Sequence, residues 1–317
     1  QSLMDHLGSG KDWDLARRSG GIKILPPNIT AYANNRNALY TTRLEALKSV
    51  NNAINRITDE YVVLSDCDVI CNVDFNDIIN DHAKYGADMT VAVKRMNLTP
   101  AQASMNVLYE SDLDGRITDV LTYPTSFEGE ADVSLNIVVM RTEYLHKILL
   151  DSIAHGYTSL TREIIFKNLK YSNYRVYKYD GYFACISSFV DYYTASMDLI
   201  KSPEARASLF EVKNRPVLTK VRNSAPTYYS ADSDVKNSLI ADGCKIYGHV
   251  ENSILFRGVK VGRNTTVKNS ILMQDTQTGE NVYLNCVITD KNVVIRDSRM
   301  LSGIGENPYY VPKGKML

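Results

Sequence analysis

The chain has 317 residues, 44% hydrophobic and 23% charged, a balance that fits a globular protein of ordinary composition with length for two domains. Its 36 basic and 36 acidic side chains cancel, and without a lysine–arginine run this excludes a nucleic-acid or anionic-membrane binder; no apolar run reaches the roughly 20 residues of a membrane helix. Residues 1–6 lack the basic and apolar regions of a signal peptide, and five scattered cysteines (Cys67, Cys71, Cys185, Cys244 and Cys286) without a CxxC read as free thiols in a reducing cytoplasm.

Residues 41–57 carry Leu44, Leu47, Ala53, Ile54 and Ile57 at helical spacing and predict an amphipathic helix. YVVL (61–64) predicts a short buried strand. DFNDIINDHAKYG (74–86) predicts a second helix, with Asp74 as N-cap and Gly86 at its close. Residues 87–95 and the apolar run SLNIVVM (134–140) predict strands, 143–154 and 159–170 helices, 175–179 a strand, and a helix follows Ser187-Ser188. Strands interleaved with helices predict an α/β domain over 1–200 on a largely parallel sheet.

Three prolines and weak periodicity make 201–226 an extended linker. Over 227–317 a repeat begins: Asn237-Ser-Leu-Ile, Asn252-Ser-Ile-Leu, Asn269-Ser-Ile-Leu and Asn285-Cys-Val-Ile recur every 15 to 17 residues. A fixed short period with aliphatic residues between Gly and Asn corners predicts a triangular β-helix. His249 beside Gly248 reads as a solvated corner residue and not as an acyl-transfer histidine.

Together with HLGSGKDWDL (6–15), the segment 61–75, SLNIVVM and LFEVKNRPVL (209–218), this arrangement resembles the bacterial ADP-glucose pyrophosphorylase (glucose-1-phosphate adenylyltransferase) family, most nearly its regulatory GlgD-type subunits. The resemblance implies a Rossmann-like nucleotidyltransferase domain followed by a left-handed parallel β-helix. The family's first strand and glycine-rich triphosphate loop have no counterpart here. The α/β domain is therefore expected to be N-terminally incomplete and the biological chain longer, because a sheet lacking its central strand leaves backbone groups unpaired.

The resemblance also assigns the site. Asp68 falls on a metal-binding aspartate of the family, and Cys185, in GYFACISS (181–188), replaces the second one. A neutral thiol is a poor ligand for Mg²⁺, which prefers oxygen. Thr122 and Tyr123 stand where active members have a Glu-Lys pair that grips the sugar phosphate, and tyrosine brings no positive charge. Ser134 matches a family serine. In YANNRNAL (32–39) Tyr32 is kept, while Asn34, Arg36 and Asn37 fall within the stretch that replaces Gly-Thr-Ala-Asp. Asp66 reads as a turn residue, and Asp68 as a weak or vestigial metal ligand.

These departures imply a non-catalytic regulatory subunit of ADP-glucose pyrophosphorylase in cytoplasmic glycogen biosynthesis. It would join a catalytic subunit in a hetero-oligomer, a tetramer by family context, with Mg²⁺ in the catalytic partner and none here. A sugar phosphate or nucleotide is the expected effector. Two alternatives stand beside this: a weakly active adenylyltransferase using Asp68, Ser134 and Arg36, and a glycosyltransferase using Asp66-Cys67-Asp68 as a metal-binding Asp-x-Asp.

Overall fold

The computed structural model describes residues 2–17, 20–25, 40–219 and 223–317, and its contacts group into two compact units. One holds Leu7–Val69 and Val73–Phe183. The other holds Ala184–Leu317, together with Ile70–Asn72 and the residues up to His6.

Helix α1 (Ser2–Leu7) opens the chain. Where one helix was expected over 41–57, two short ones form, α2 (Arg43–Ser49) and α3 (Asn51–Ile54). A capping box between Thr42 and Glu45 starts α2, satisfying two orphan backbone donors. Val50 ends it, followed by Asn51-Asn52, residues that compete with the helical backbone.

Strand β1 (Tyr61–Leu64) and the short β2 (Val69–Cys71) precede α4 (Phe75–Lys84), which Asp74 caps through Asn76 N at 2.9 Å. Then come β3 (Met89–Leu98), α5 (Pro100–Ala103), β4 (Val107–Ser111), β5 (Ile117–Thr122), β6 (Gly129–Arg141) and α6 (Thr142–His155). A π-helix over Leu160–Phe166, β7 (Tyr174–Lys178) and β8 (Phe183–Cys185) follow.

Among the described residues the sheet runs β5-β4-β6-β3-β7, with β1 beside the C-terminal half of β6. The expectation of a largely parallel sheet does not hold for these strands. Only β3 and β7 are parallel; the β1–β6, β3–β6, β4–β6 and β4–β5 pairs are antiparallel. Connectivity explains this. The links from β4 to β5 and from β5 to β6 are short loops, and only a long crossover returns a chain parallel to itself. Leu44, Met89, Val91, Val138, Met140, Leu149 and Ile165 form the main core.

The thirteen-residue β6 carries the feature that matters for function. Its register with β3 shifts between Val91 and Val93, and Asn136, opposite the shift, has φ 56°. Asparagine is among the few side-chain-bearing residues that adopt this left-handed region readily.

Strands β2 and β8 pair as a two-stranded ribbon, and in the second unit three five-stranded parallel sheets wind into the expected β-helix. Val250, Val267, Leu284, Leu255, Leu272, Ile246, Val261 and Ile295 stack inside it. Two side-chain ladders lock successive coils. Ser253 N, Ser270 N and Val287 N each donate to the hydroxyl one coil earlier, on Ser238, Ser253 and Ser270, at 3.1 Å. Asn237 and Asn269 donate side-chain bonds to Asn252 and Asn285 at 2.7 and 2.9 Å.

The register corrects one detail of the repeat. Ile271 pairs with Ile288, so the residue one coil beyond Asn269 is Cys286, not Asn285. The corner φ values agree: Asn237, Asn252, Asn269 and Cys286 lie at 41, 47, 46 and 52°. His249 also departs from expectation, because it lies within the strand His249–Glu251. Its ring contacts Asp234 at 3.0 Å and Glu251 at 3.4 Å, inside an ion network with Lys236 and Lys268.

Helix α7 (Phe189–Lys201) belongs to this unit and not to a domain ending at residue 200. Tyr193, Met197 and Ile200 cover Ile271 and Ile288, two outward-facing residues of the solenoid, and Tyr193 donates to the Asn269 carbonyl at 2.7 Å. The expected extended linker also contains a helix, α8 (Pro203–Phe210), with Ser202 as N-cap and Pro203 in the first turn, where proline's missing donor does no harm. The segment after α8 is pinned. Asn72 Nδ2 donates to the Leu209 and Arg215 carbonyls at 2.7 and 3.0 Å, and Arg215 Nη1 returns a bond to the Asn72 carbonyl at 3.2 Å.

Candidate functional site

A polar cluster forms within the first unit where β1 ends, β6 bulges and α2 begins. Arg43 is the first residue of α2. A cation there opposes the positive end of the helix dipole, so it needs an acidic partner, and Asp66 provides one. Arg43 Nε lies 3.1 Å from Asp66 Oδ1, and its Nη2 lies 2.5 Å from Oδ2. The same Nη2 donates to the Asn136 carbonyl at 2.7 Å, which the left-handed φ of Asn136 makes available. Two-pronged guanidinium–carboxylate pairs are both strong and orientationally fixed. Asp66 is thus an ion-pair partner and not merely a turn residue.

Ser134 lies two residues before the bulge, where its hydroxyl accepts from Asn136 N at 3.1 Å. Beside it sits Tyr109 on β4, only 5% exposed. Burial pushes its hydroxyl well above the ordinary phenol range, while hydrogen bonds to Ser134 and Thr161 and the nearby Arg43 act in the opposite sense. Tyr123 is near the same hydroxyl. Thr161 and Arg162 come from the π-helix, and Arg162 Nε donates to the Thr122 hydroxyl at 3.3 Å. π-Helical turns recur at functional sites. Tyr123 has φ 54° with its side chain largely exposed. A bulky residue in this region is strained, a feature that clusters at ligand sites.

The structure therefore brings together Thr122, Tyr123 and Ser134 from the expected set. It adds Arg43, Asp66, Tyr109, Thr161 and Arg162. The cation at the start of α2 was a usable signal for the Arg43–Asp66 pair. Nothing in the sequence pattern marked Tyr109 or Arg162. Tyr32, Asn34, Arg36 and Asn37 lie outside the described residues. Asp68 is half-buried between β1 and β2 in the first unit, and Cys185 lies on β8 in the second, with its sulfur 3.6 Å from the Ser187 hydroxyl.

Among the described residues no group of three or more His, Cys, Asp or Glu side chains could hold a metal ion. Asp66 commits both carboxylate oxygens to Arg43, so Asp66-Cys67-Asp68 does not present an open pair of carboxylates. Among the described residues no helix is long and apolar enough to cross a membrane.

Comparison with known proteins agrees with this architecture. Residues 226–309 match the family described as GlmU-like, C-terminal hexapeptide. The chain is 33% identical over 314 residues to the glycogen biosynthesis protein GlgD of Bacillus subtilis, covering 99% of this chain and 79% of that protein. It is 27% identical to a glucose-1-phosphate adenylyltransferase of Fervidobacterium nodosum, covering 96% of this chain and 71% of the relative. A Thermotoga maritima enzyme of the same name is 33% identical over 84% of this chain and 62% of its own length. An α/β sheet domain, a hexapeptide β-helix and this degree of identity lead to one conclusion: the chain belongs to the family of GlgD and the glucose-1-phosphate adenylyltransferases.

Proposed function

We propose that this chain serves cytoplasmic glycogen biosynthesis as a non-catalytic subunit. It modulates a catalytic ADP-glucose pyrophosphorylase partner that makes ADP-glucose and pyrophosphate from ATP and glucose 1-phosphate with Mg²⁺. The observation that carries the reading is the state of the acidic segment after β1. Asp66 is tied to Arg43 by both oxygens, leaving Asp68 as the carboxylate for metal work there. By resemblance, Cys185 stands where the second metal aspartate belongs and Tyr123 where the sugar-phosphate lysine belongs.

Adenylyl transfer requires charge neutralisation on both phosphates in the transition state. A chain lacking one carboxylate and one lysine supplies neither side in full. Such a subunit still biases the conformation of a packed partner, and coupling of about 1–3 kcal/mol changes effector response 5- to 150-fold. Assembly is proposed to be a hetero-oligomer, a tetramer in the family pattern.

The test is ADP-glucose formation with Mg²⁺, first with this protein alone and then mixed with a catalytic subunit. Silence alone with a changed rate or effector response in the mixture supports the proposal. Turnover by the protein alone, abolished by Asp68→Ala, overturns it in favour of a weakly active adenylyltransferase.

A further inference from the structure

A cavity of about 420 Å³ lies within the first unit, between α6, the end of the π-helix and the turn before β7. It shares no residue with the polar cluster at the β6 bulge, and its size falls within the range of small-molecule pockets. Tyr144, Lys147, Ile148 and Asp151 line it together because residues three and four apart share one side of a helix. Ile148 and Ile164, 4% and 2% exposed, give it a buried apolar wall.

Its polar groups separate by charge. Lys147 precedes Asp151 by one turn, the weaker order for a helical ion pair, and among the described residues Lys147 makes no ion pair. Asp151 meets His155 Nδ1 through Oδ1 at 3.0 Å, which leaves Oδ2 uncommitted. Asn168 donates from Nδ2 to the Ile164 carbonyl at 2.8 Å, so its side-chain oxygen is the end left to accept. The remaining group is a donor. Tyr174, 1% exposed, bonds the Tyr144 hydroxyl at 2.6 Å and also Ser172. The Ser172 bond favours the ionised phenol and the Tyr144 bond disfavours it, as expected when Ser172 donates to Tyr174 and Tyr174 donates on to Tyr144. That order leaves the Tyr144 proton for an acceptor in the cavity.

We propose that this cavity binds an apolar α-amino acid, whose carboxylate is taken by Lys147 and the Tyr144 hydroxyl, whose ammonium is taken by Asp151 and the Asn168 side-chain oxygen, and whose side chain lies on the Ile148–Ile164 wall. The ligand class follows from the pair of charges. A base and an acid that share a cavity without pairing to each other match a molecule that carries both signs. A simple acid would set its carboxylate near Asp151, a simple amine would set its ammonium near Lys147, and each is disfavoured by like charge. The apolar wall then selects for a side chain with apolar surface to bury. This site stands apart from the proposed function and does not depend on it.

The experiment is isothermal titration calorimetry of the whole chain with four probes. These are L-phenylalanine, 2-phenylethylamine without the carboxylate, 3-phenylpropanoate without the ammonium, and glycine without the apolar body. L-Phenylalanine binds about tenfold or more tighter than each of the others, the scale of one charged hydrogen bond. Lys147→Gln weakens L-phenylalanine but not 2-phenylethylamine, and Asp151→Asn weakens L-phenylalanine but not 3-phenylpropanoate. Both residues are exposed, so the variants are expected to fold, and circular dichroism checks this. Ala154→Trp, at an exposed position lining the cavity, fills the space and abolishes binding. No binding of L-phenylalanine at millimolar concentration overturns the site, as does binding that survives Ala154→Trp or that neither charge variant weakens. Either half-probe binding as tightly as L-phenylalanine overturns the zwitterion, and glycine doing so overturns the apolar contacts.

Discussion

Replacing His82 tests the electrostatics of the first unit most directly. The ring is only 1% exposed, wedged between α4 and β3. Its Nδ1 meets the Thr90 hydroxyl at 2.9 Å, while Nε2 is buried without a hydrogen-bond partner, and the Tyr61 ring meets it edge-on with centroids 5.7 Å apart. A second proton on this imidazole has no acceptor. Desolvation lowers its pKa below the ordinary value of 6.5, Arg141 pushes the same way, and Asp88 opposes weakly. The unfolded chain therefore takes up a proton below pH 6.5 that the folded unit refuses, and stability falls as pH falls. The contribution is fully present above pH 6.5 and is lost below it at up to about 1.4 kcal/mol per pH unit, until the depressed folded value is reached. Between pH 7.5 and 5.5 the expected loss is up to about 1.4 kcal/mol.

The assay is urea unfolding read by pulsed hydrogen exchange on peptides covering 75–98, which reports on α4 and β3 alone. His82→Leu should flatten the difference in pH slope. It should also lower stability at pH 7.5 by about 1–3 kcal/mol, because the Thr90 hydroxyl, at 0% exposure, loses its partner. Adding Thr90→Val should return most of that loss. A His82→Leu variant with the wild-type pH slope would refute the reasoning, whatever its absolute stability.

Two further outcomes are expected in the second unit. Ser270→Ala removes the hydroxyl that accepts from Val287 N at 3.1 Å and donates to the Lys268 carbonyl at 2.6 Å; both ends lie in the packed solenoid, so thermal unfolding should show a loss of about 1–3 kcal/mol. Asn72→Ala releases the Leu209 and Arg215 carbonyls, and limited proteolysis should cut residues 211–219 faster while leaving the solenoid intact. Unchanged cleavage there would mean that other contacts hold the segment.

The sequence by itself determined the local elements and the solenoid. Asp74 ahead of an amphipathic run specifies a capped helix whatever surrounds it, and repeated Asn-Ser-aliphatic steps specify stacked coils because each coil buries its aliphatic residues only against the next. The expectation that Cys185 and Tyr123 replace a metal aspartate and a sugar-phosphate lysine comes from resemblance and from the residue types alone: a thiol is a poor ligand for a hard cation, and a phenol carries no positive charge. Tertiary structure decided the rest. Strand direction in the sheet depends on which strands meet, so β6, read as one apolar run, gave no sign that it would pair with β1, β3 and β4. Asn285 resembles the other corner asparagines, but coil register put Cys286 in the left-handed corner. Arg43, Asp66, Tyr109 and Arg162 lie on α2, the loop after β1, β4 and the π-helix, separated by up to 119 residues of sequence. Their meeting follows from the β6 bulge and the π-helix, and no linear spacing encodes a contact made in space.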